Sequence, residues 1–355
     1  FNVIGAANVN ANVIIGSRAG YLYNNEKSTI IGTEAGYNTN AGHVTLVGYR
    51  AGYNFNPATG LSGNTFVGFE SGYSNNQSAN DNAFFGNLSG RNNTTGDQNS
   101  FFGNVAGRNS TAGTSNSFFG NACGENNATF SANNYYGHLA GNTSTGDNNV
   151  FVGNSTGAQG VGNRNVIIGN NGMQNATTGS NDNVSVGYQT GLNSNTNSFN
   201  TTMGSQSAPN ISNSRLNTMI GYQTAFNQTG GVSNAYLGEN TGVNIVNGDN
   251  NTFVGAKADA TNATSNLTNA AAIGANAKVT NSNHMILGDN NVNVGIGLSS
   301  DPIGPGNKLE INSGTANTSG LRFSQLTSVS PTIPNPGLGV LAVDANGDVI
   351  YVPDN

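Results

Sequence analysis

The sequence predicts an all-β protein folded as a parallel β-roll, or β-solenoid, of about 18 short coils. Three observations predict this fold class: a short repeat, apolar residues at fixed points of each repeat, and no helical periodicity. Between Gly68 and Gly255 the repeat returns at an interval of about 17 residues. A unit this small cannot bury its own apolar face, so the units above and below must supply its stability.

Each repeat is numbered here from a signature glycine, which is position 0. The eighteen signature glycines are Gly5, Gly16, Gly32, Gly48, Gly68, Gly86, Gly103, Gly120, Gly137, Gly153, Gly169, Gly187, Gly204, Gly221, Gly238, Gly255, Gly274 and Gly288. Position −1 is apolar in all eighteen units, and position −2 is apolar in all but the two units that carry Ser185 and Thr202. Successive side chains of a strand face opposite ways, so this strand is apolar on both faces. We expect one face to point into the coil and the other to pack against further copies of the chain.

Repeated residue types predict ladders along the stack of coils. Position −4 is Asn in twelve consecutive units, and stacked amides in register are expected to hydrogen-bond along the stack. Aromatic residues at position −2 are expected to form a ring ladder, and glycine at position 0 lets a backbone or a ring approach closely. The predicted ladder residues are Asn82, Asn99, Asn116, Asn133 and Asn149, then Phe84, Phe101, Phe118, Tyr135 and Phe151, and then Gly86, Gly103, Gly120, Gly137 and Gly153.

The rest of the repeat predicts corners and turns. A small residue at position +3 and a second glycine at position +4 form the corner, and the Asn, Thr, Ser, Gly and Asp residues that follow form exposed turns. Nowhere do apolar residues recur with a 3.6-residue period over ten residues, so no helix is expected. We predict a repetitive shaft or head over residues 1–295 and a non-repeat, β-rich junction region over residues 296–355. In the junction region five prolines mark the departure from the repeat, namely Pro302, Pro305, Pro331, Pro334 and Pro336.

Composition and charge exclude several classes of function. Only 8% of the residues are charged, and the net charge of −6 leaves no basic stripe for nucleic acid. No apolar run approaches the roughly 18 residues of a membrane span, so we expect no membrane insertion by this segment. The single cysteine, Cys123, cannot form an intramolecular disulfide and is predicted to be a small buried residue. The chain opens at Phe1 without a signal-like segment, which indicates a processed product or a fragment.

We expect no catalytic site, metal site or cofactor. The three histidines, His43, His138 and His284, lie in different coils, whereas metal ligands cluster. Aspartates in the turns, such as Asp97 and Asp147, favour a turn role over calcium loops, because the Gly-Gly-x-Gly-x-Asp alternation is missing. Acidic and basic residues are dispersed instead of gathered at one level of one face, so an enzyme is not expected.

Four tyrosines follow the second glycine in the first coils, namely Tyr21, Tyr37, Tyr53 and Tyr73. If these tyrosines are exposed at a rim, their rings would stack on sugars. Packing between chains explains the tyrosines equally well, and both interpretations remain open. Threonines also recur in the turns, and aligned threonines on a flat solenoid bind ice. Strict Thr-x-Thr rows are absent, so ice binding stays a minor alternative.

Two families resemble parts of this chain. The units Asn-Val-Ile-Ile-Gly-Ser-Arg-Ala-Gly at residues 12–20 and Asn-Ala-Ala-Ala-Ile-Gly-Ala-Asn-Ala at residues 269–277 resemble the head repeats of trimeric autotransporter adhesins. That resemblance implies a left-handed parallel β-roll, three chains around one axis and a role in attachment. The segments at residues 291–297 and 340–350 resemble the region that follows repeat shafts in phage tail-fibre-like and Bacteroidetes surface proteins. There a self-cleaving chaperone domain often follows, which implies a cleavage or truncation point near Asn355.

Together these observations predict a non-enzymatic extracellular fibre protein or adhesin on a cell surface or virion. Its expected partners are two further copies of itself, in a homotrimer, and an unidentified surface receptor, with a glycan as one option; multivalent display would give avidity. One alternative is a subunit of a self-assembling filament, because an uncapped solenoid has open strand edges. The alternative from another class is a monomeric ice-binding or glycan-cleaving solenoid. We also expect Gly103→Val to disrupt assembly more than Asn109→Val, because the side chain blocks close approach.

Overall fold

The structure is a computed structural model of the chain. It describes residues 11–57, 62–77, 79–176, 179–263, 265–296, 308–311, 340–343 and 349–352. The predicted coil around Gly5 lies outside the described residues, and so do the five prolines of the junction region, Pro302, Pro305, Pro331, Pro334 and Pro336.

The prediction of an all-β parallel β-solenoid is confirmed. Seventeen three-residue strands stack into one parallel sheet, which makes about 16 turns within the described residues, and these residues contain no helix. The predicted number was about 18, and one of those coils is the coil around Gly5. Because the described residues form no helix, none of them forms one long and apolar enough to span a bilayer.

The strands of the repeat region follow one another at nearly constant spacing. They are β1 (Val13–Ile15), β2 (Thr29–Ile31), β3 (Thr45–Val47), β4 (Asn56–Pro57), β5 (Thr65–Val67), β6 (Asn76–Gln77), β7 (Ala83–Phe85), β8 (Ser100–Phe102), β9 (Ser117–Phe119), β10 (Asn134–Tyr136), β11 (Val150–Val152), β12 (Val166–Ile168), β13 (Val184–Val186), β14 (Thr201–Met203), β15 (Ser214–Arg215), β16 (Thr218–Ile220), β17 (Gly231–Val232), β18 (Ala235–Leu237), β19 (Thr252–Val254), β20 (Asp259–Ala260), β21 (Ala271–Ile273), β22 (Lys278–Val279) and β23 (Met285–Leu287). The two-residue strands form separate parallel pairs, β4 with β6, β15 with β17 and β20 with β22. All seventeen three-residue strands from β1 to β23 belong to the main sheet.

The register of the main sheet places equal positions of the repeat beside each other. Phe84 lies beside Phe101, and Phe101 lies beside Phe118. Consecutive coils therefore advance by one strand step, and every repeat position forms a column along the stack.

The hydrophobic core lies inside the coil of a single chain. The middle residue of each strand, position −2, is fully buried in most coils, for example Ile30, Leu46 and Phe101. The stacked rings of Phe84, Phe101 and Phe118 have centroids 4.8 Å apart. One face of the strand therefore points into the coil, where the apolar column removes its side chains from water.

Two adjacent coils with polar core residues divide this core into two clusters. The first cluster extends along the stack to Met173 and Ala176, and the second begins at Ala208. Between them Ser185 and Thr202 occupy the core position of β13 and β14, with their hydroxyl oxygens 3.2 Å apart.

The second glycine of the repeat makes room for the core ring. A Cβ atom on Gly107, whose φ is +56°, would lie 2.4 Å from the ring of Phe101. Where the core residue is Thr202 or Met219 instead of an aromatic, alanine stands at position +4, as Ala208 and Ala225. Both alanines keep the left-handed conformation, so the corner itself admits a Cβ atom when no ring lies beneath it.

The chain divides into two compact units, Phe1–Val292 and Asn293–Asn355. In the second unit β24 (Val294–Ile296) pairs in parallel with β25 (Leu309–Ile311). In the same unit β26 (Val340–Val343) pairs antiparallel with β27 (Val349–Val352). The antiparallel pair differs from the parallel pairing of the repeat region.

Candidate functional site

The asparagines at position −4 form a buried ladder. The backbone N–H of Asn99 donates to Oδ1 of Asn82 at 2.9 Å, and Nδ2 of Asn116 donates to Oδ1 of Asn99 at 3.1 Å. Nδ2 of Asn99 also donates to the carbonyl of Gly113 at 2.8 Å. Asn133 and Asn149 repeat the pattern. The ladder therefore satisfies buried amides and fixes each coil on the next, and it is not open to a ligand.

The signature glycines form a second internal column. A Cβ atom on Gly103 would lie 2.2 Å from the carbonyl oxygen of Gly120, and φ of Gly103 is +144°. Gly86 faces Gly103 in the same way, and Gly120 and Gly137 face the next glycine along the stack; Gly153 faces Gly169 at 2.6 Å. The backbone that approaches each glycine belongs to the next coil of the same chain.

Position +3 carries a hydrogen bond that the sequence analysis missed. The hydroxyl of Ser89 donates to the carbonyl of Phe101 at 3.1 Å, and that of Thr224 donates to the carbonyl of Gly238 at 2.8 Å. The thiol of Cys123 donates to the carbonyl of Tyr135 at 3.3 Å. Burial raises the pKa of Cys123 to about 12, so this thiol stays protonated near neutral pH.

Charged side chains form an alternating column that begins at position +2 of the first described coils. Arg18 contacts Glu34 at 3.2 Å, and Glu34 contacts Arg50 at 2.8 Å. Glu70 continues the column, 3.9 Å from Arg50 and 2.7 Å from Arg91. The bond from Arg50 lowers the pKa of Glu34. The signal was present in the sequence as Arg, Glu, Arg and Glu at one repeat position, but it has meaning only once the coils are stacked in register.

The four tyrosines after the second glycine stack on one another. Ring centroids of Tyr21, Tyr37, Tyr53 and Tyr73 are 5.0–5.1 Å apart, and their planes differ by at most 8°. The guanidinium of Arg91 lies 5.0 Å from the ring centroid of Tyr73. The faces of Tyr37 and Tyr53 are thus covered by neighbouring rings, so these faces cannot take a sugar.

A shorter aromatic column lies at position +1. Tyr49 stacks on Phe69 with centroids 5.2 Å apart, and Asn87 holds the same position in the next coil. The column therefore ends at Phe69, whose side chain is 48% exposed. A depression of about 440 Å³ begins here and extends to Arg91 and Arg108.

The outward face of the main sheet carries positions −3 and −1. None of the seventeen side chains at position −1 is buried, and none in either row is charged. The row at position −1 consists of Ile15, Ile31, Val47, Val67, Phe85, Phe102, Phe119, Tyr136, Val152, Ile168, Val186, Met203, Ile220, Leu237, Val254, Ile273 and Leu287. Its central rings, Phe85, Phe102 and Phe119, stack with centroids 4.7 Å apart. The row at position −1 is therefore an unbroken apolar stripe along the described coils.

Threonine does not run the length of the outer face. It occupies position −3 in Thr29, Thr45 and Thr65 and returns at Thr201, Thr218 and Thr252. Ala, Ser, Asn and Val stand at this position in the coils between. The face therefore lacks the regular hydroxyl rows that ice binding needs.

The titratable residues considered for metal binding lie apart. Among the residues that the structure describes, no group of three or more His, Cys, Asp or Glu is placed to hold a metal ion. The carboxylates of Asp97 and Asp147 accept the backbone N–H of Asn80 and Ser131, each at 2.7 Å. These aspartates therefore connect one turn to the preceding turn.

No family model matches this sequence, and no curated protein matches it. Function is therefore inferred from the surfaces of the coil: the outer face of the sheet and the depression beside Phe69.

Proposed function

We propose that the chain is a non-enzymatic fibre module of the cell surface or a virion, in which three copies associate through their outer faces and display binding surfaces for attachment. The observation that carries this proposal is the uncharged apolar row along the outer face. Large contiguous apolar surfaces on soluble proteins are typical of interaction sites.

Two further copies of the same chain are the partners that match this face. The row repeats at every strand step, so another copy offers side chains at the same spacing over the full length of the face. Parallel sheets are normally covered on both faces, and in a single chain only the inner face is covered. Three outer faces that meet around one axis would enclose the row, as in the adhesin heads whose repeats resemble this one.

Attachment follows from multivalency in such an assembly. Each copy would present the same exposed side chains, and three weak contacts held on one stiff support bind more tightly than one. The low charge and dispersed carboxylates give no support to a catalytic role.

The test is the oligomeric state of the full chain and of variants of the outer face. We expect sedimentation at micromolar concentration to show a trimer, and the double variant Phe102→Asp with Phe119→Asp to sediment as a folded monomer, because two buried charges would oppose association. Asn109→Asp, which changes a partly exposed residue outside the outer face, is the matched control and should remain trimeric. A folded wild-type monomer would contradict the proposal and favour the solitary solenoid, and open-ended growth would favour the filament.

A further inference from the structure

The depression beside Phe69 combines an aromatic ring with fixed polar groups. Its lining includes Phe69, Leu88, Arg91, Arg108 and the amides of Asn92 and Asn109. The volume of about 440 Å³ falls in the range of roughly 300–1,000 Å³ that is usual for small-ligand sites. None of these residues belongs to positions −3 or −1, so the depression is distinct from the outer face.

Phe69 offers a ring face at this point because two aromatic columns end here. The column at position +1 ends at Phe69, where Asn87 follows in the next coil. The tyrosine column ends at Tyr73, where the guanidinium of Arg91 covers the last ring. An apolar ring next to hydrogen-bonding groups suits a ligand with an apolar face and polar edges.

The polar groups of the depression are held in place by the coil stack. Nε of Arg91 donates to Glu70 at 2.7 Å and its Nη1 donates to Oδ1 of Asn92 at 3.2 Å. Arg108 pairs with Glu125 at 2.6 Å. Nδ2 of Asn92 donates to Oδ1 of Asn109 at 2.8 Å. Each guanidinium has five N–H donors, so these contacts leave donors for a ligand without a need for reorganisation.

The local charge favours an acidic ligand. Two arginines, Arg91 and Arg108, line the depression together with one carboxylate, Glu70. Arg91 is paired with Glu70, and Arg108 is paired with Glu125. With Arg18, Arg50 and Glu34, these neighbouring ion pairs hold four arginines against three glutamates, an excess of one positive charge in a chain whose net charge is −6. A planar guanidinium with free donors matches a carboxylate.

We propose that this depression binds an acidic saccharide. One pyranose ring lies with its C–H face on Phe69, its carboxylate meets Arg91 and Arg108, and its hydroxyls meet the amides of Asn92 and Asn109. The site is complete within one chain, so it does not depend on the association proposed above.

The experiment is isothermal titration of the full chain with two acidic probes, hyaluronan tetrasaccharide and 3′-sialyllactose, and with their neutral counterparts, the fully N-acetylated chitin tetrasaccharide and lactose. We expect saturable binding of at least one acidic probe, on the order of tenfold tighter than its neutral counterpart. Phe69→Ala should weaken that binding on the order of tenfold, and Arg108→Gln should reduce the preference for the acidic probe.

Tyr222→Ala is the matched control. Tyr222 stands at the same repeat position and is 48% exposed, as Phe69 is, but it lies many coils away. Its removal should leave binding unchanged. Thermal unfolding of each variant separates loss of the site from loss of the fold. The proposal is overturned by no saturable binding of either acidic probe, by equal binding of the neutral sugars, or by equal loss in Tyr222→Ala and Phe69→Ala.

Discussion

The residue that tolerates the least change in each coil is the signature glycine. At Gly103 the carbonyl of Gly120 occupies the space of a Cβ atom. The repeated glycine predicts close approach, but the sequence does not tell which backbone approaches. The structure assigns that backbone to the next coil of the same chain, so Gly103 supports the fold of the protomer before any association.

Gly103→Val is expected to lower the free energy of unfolding by about 3 kcal/mol or more, because the side chain meets backbone that cannot move aside. Gly179→Val is the control for backbone strain alone. Gly179 also has a positive φ of +102°, but among the described residues that are not its chain neighbours the nearest atom to its Cβ position is 3.8 Å away. Its cost should be about 1–2 kcal/mol. Urea denaturation measures both, and equal losses would show that the contact with Gly120 is unimportant.

Asn109→Val should cost less than either glycine variant. Asn109 is partly exposed; Nδ2 of Asn92 donates to its Oδ1, and its own Nδ2 donates to Asn126. This exposed amide ladder was not predicted, because the variable turns hide its period in the sequence. A lower trimer yield in Gly103→Val than in Asn109→Val would not show that Gly103 lies between chains, because the glycine variant already destabilises the fold of the single chain.

At the scale of the element, strands and corners followed from the repeat. Alternation of faces predicts a short strand with one face turned into the coil, and the structure shows a three-residue strand with a buried middle residue, such as Phe101 in β8. The short pairs, such as β20 with β22, were not predicted, because they depend on how the turns of two coils lie beside each other. In that pair Asp259 stands at position +4, where most coils have glycine.

Asp259 makes the corner of its coil sensitive to pH. It is 2% exposed, and burial raises its pKa to about 6 although Lys278 lies 3.9 Å away and two backbone N–H groups donate to it. The folded pKa exceeds the usual value of about 3.8 for an unfolded aspartate, so the fold favours the protonated form. The stability from this group is therefore fully present below about pH 4 and is lost as the pH rises from about 4 to 6.

Asp259→Asn should remove this pH dependence. The difference in unfolding midpoint between the variant and the wild type is expected to change as the pH rises from about 4 through 6 and to stay constant from about pH 7 to pH 8. Taking the difference cancels the contributions of the other carboxyl groups to the pH dependence of stability. One of them is Asp182, whose pKa is lowered by Arg164, so its contribution to stability increases as the pH rises. A constant difference from pH 4 to pH 8 would show that Asp259 has an ordinary pKa.

At the scale of the whole repeat region, the apolar core is continuous except at β13 and β14. The sequence showed Ser185 and Thr202 as exceptions to an apolar position, and the structure shows that they separate two core clusters. Met173 approaches this level: the Cβ position of Gly191 lies 3.3 Å from its side chain and 3.6 Å from the hydroxyl of Ser185. In a stack where each coil contacts only its neighbours, coils with a polar core bury less apolar surface, so this level is a weak link, the least stable part of the stack. The association of three chains stays a prediction, because the row at position −1 is equally apolar for any number of copies.

We expect the amides of β13 and β14 to exchange hydrogen faster than those of β8 and β9, because less apolar surface is buried there. Thr202→Val should slow this exchange and stabilise the protein by about 1 kcal/mol, since Ser185 still donates to the carbonyl of Thr190. Thr218→Val, at an exposed position −3, is the matched control and should leave exchange at β13 and β14 unchanged. Uniform exchange along the stack would contradict the weak link.

Because equal repeat positions lie beside each other in neighbouring coils, the number of repeats in the gene can change without loss of the fold. β8 and β9 have the same sequence, Ser-Phe-Phe, and each presents the same amide, glycine and ring to its neighbours. Recombination that adds or deletes one complete repeat would therefore leave every surviving coil with equivalent bonding partners. The length of the coil stack would change in increments of about 4.8 Å, the strand spacing, so evolution can adjust this length in small increments while the fold is preserved.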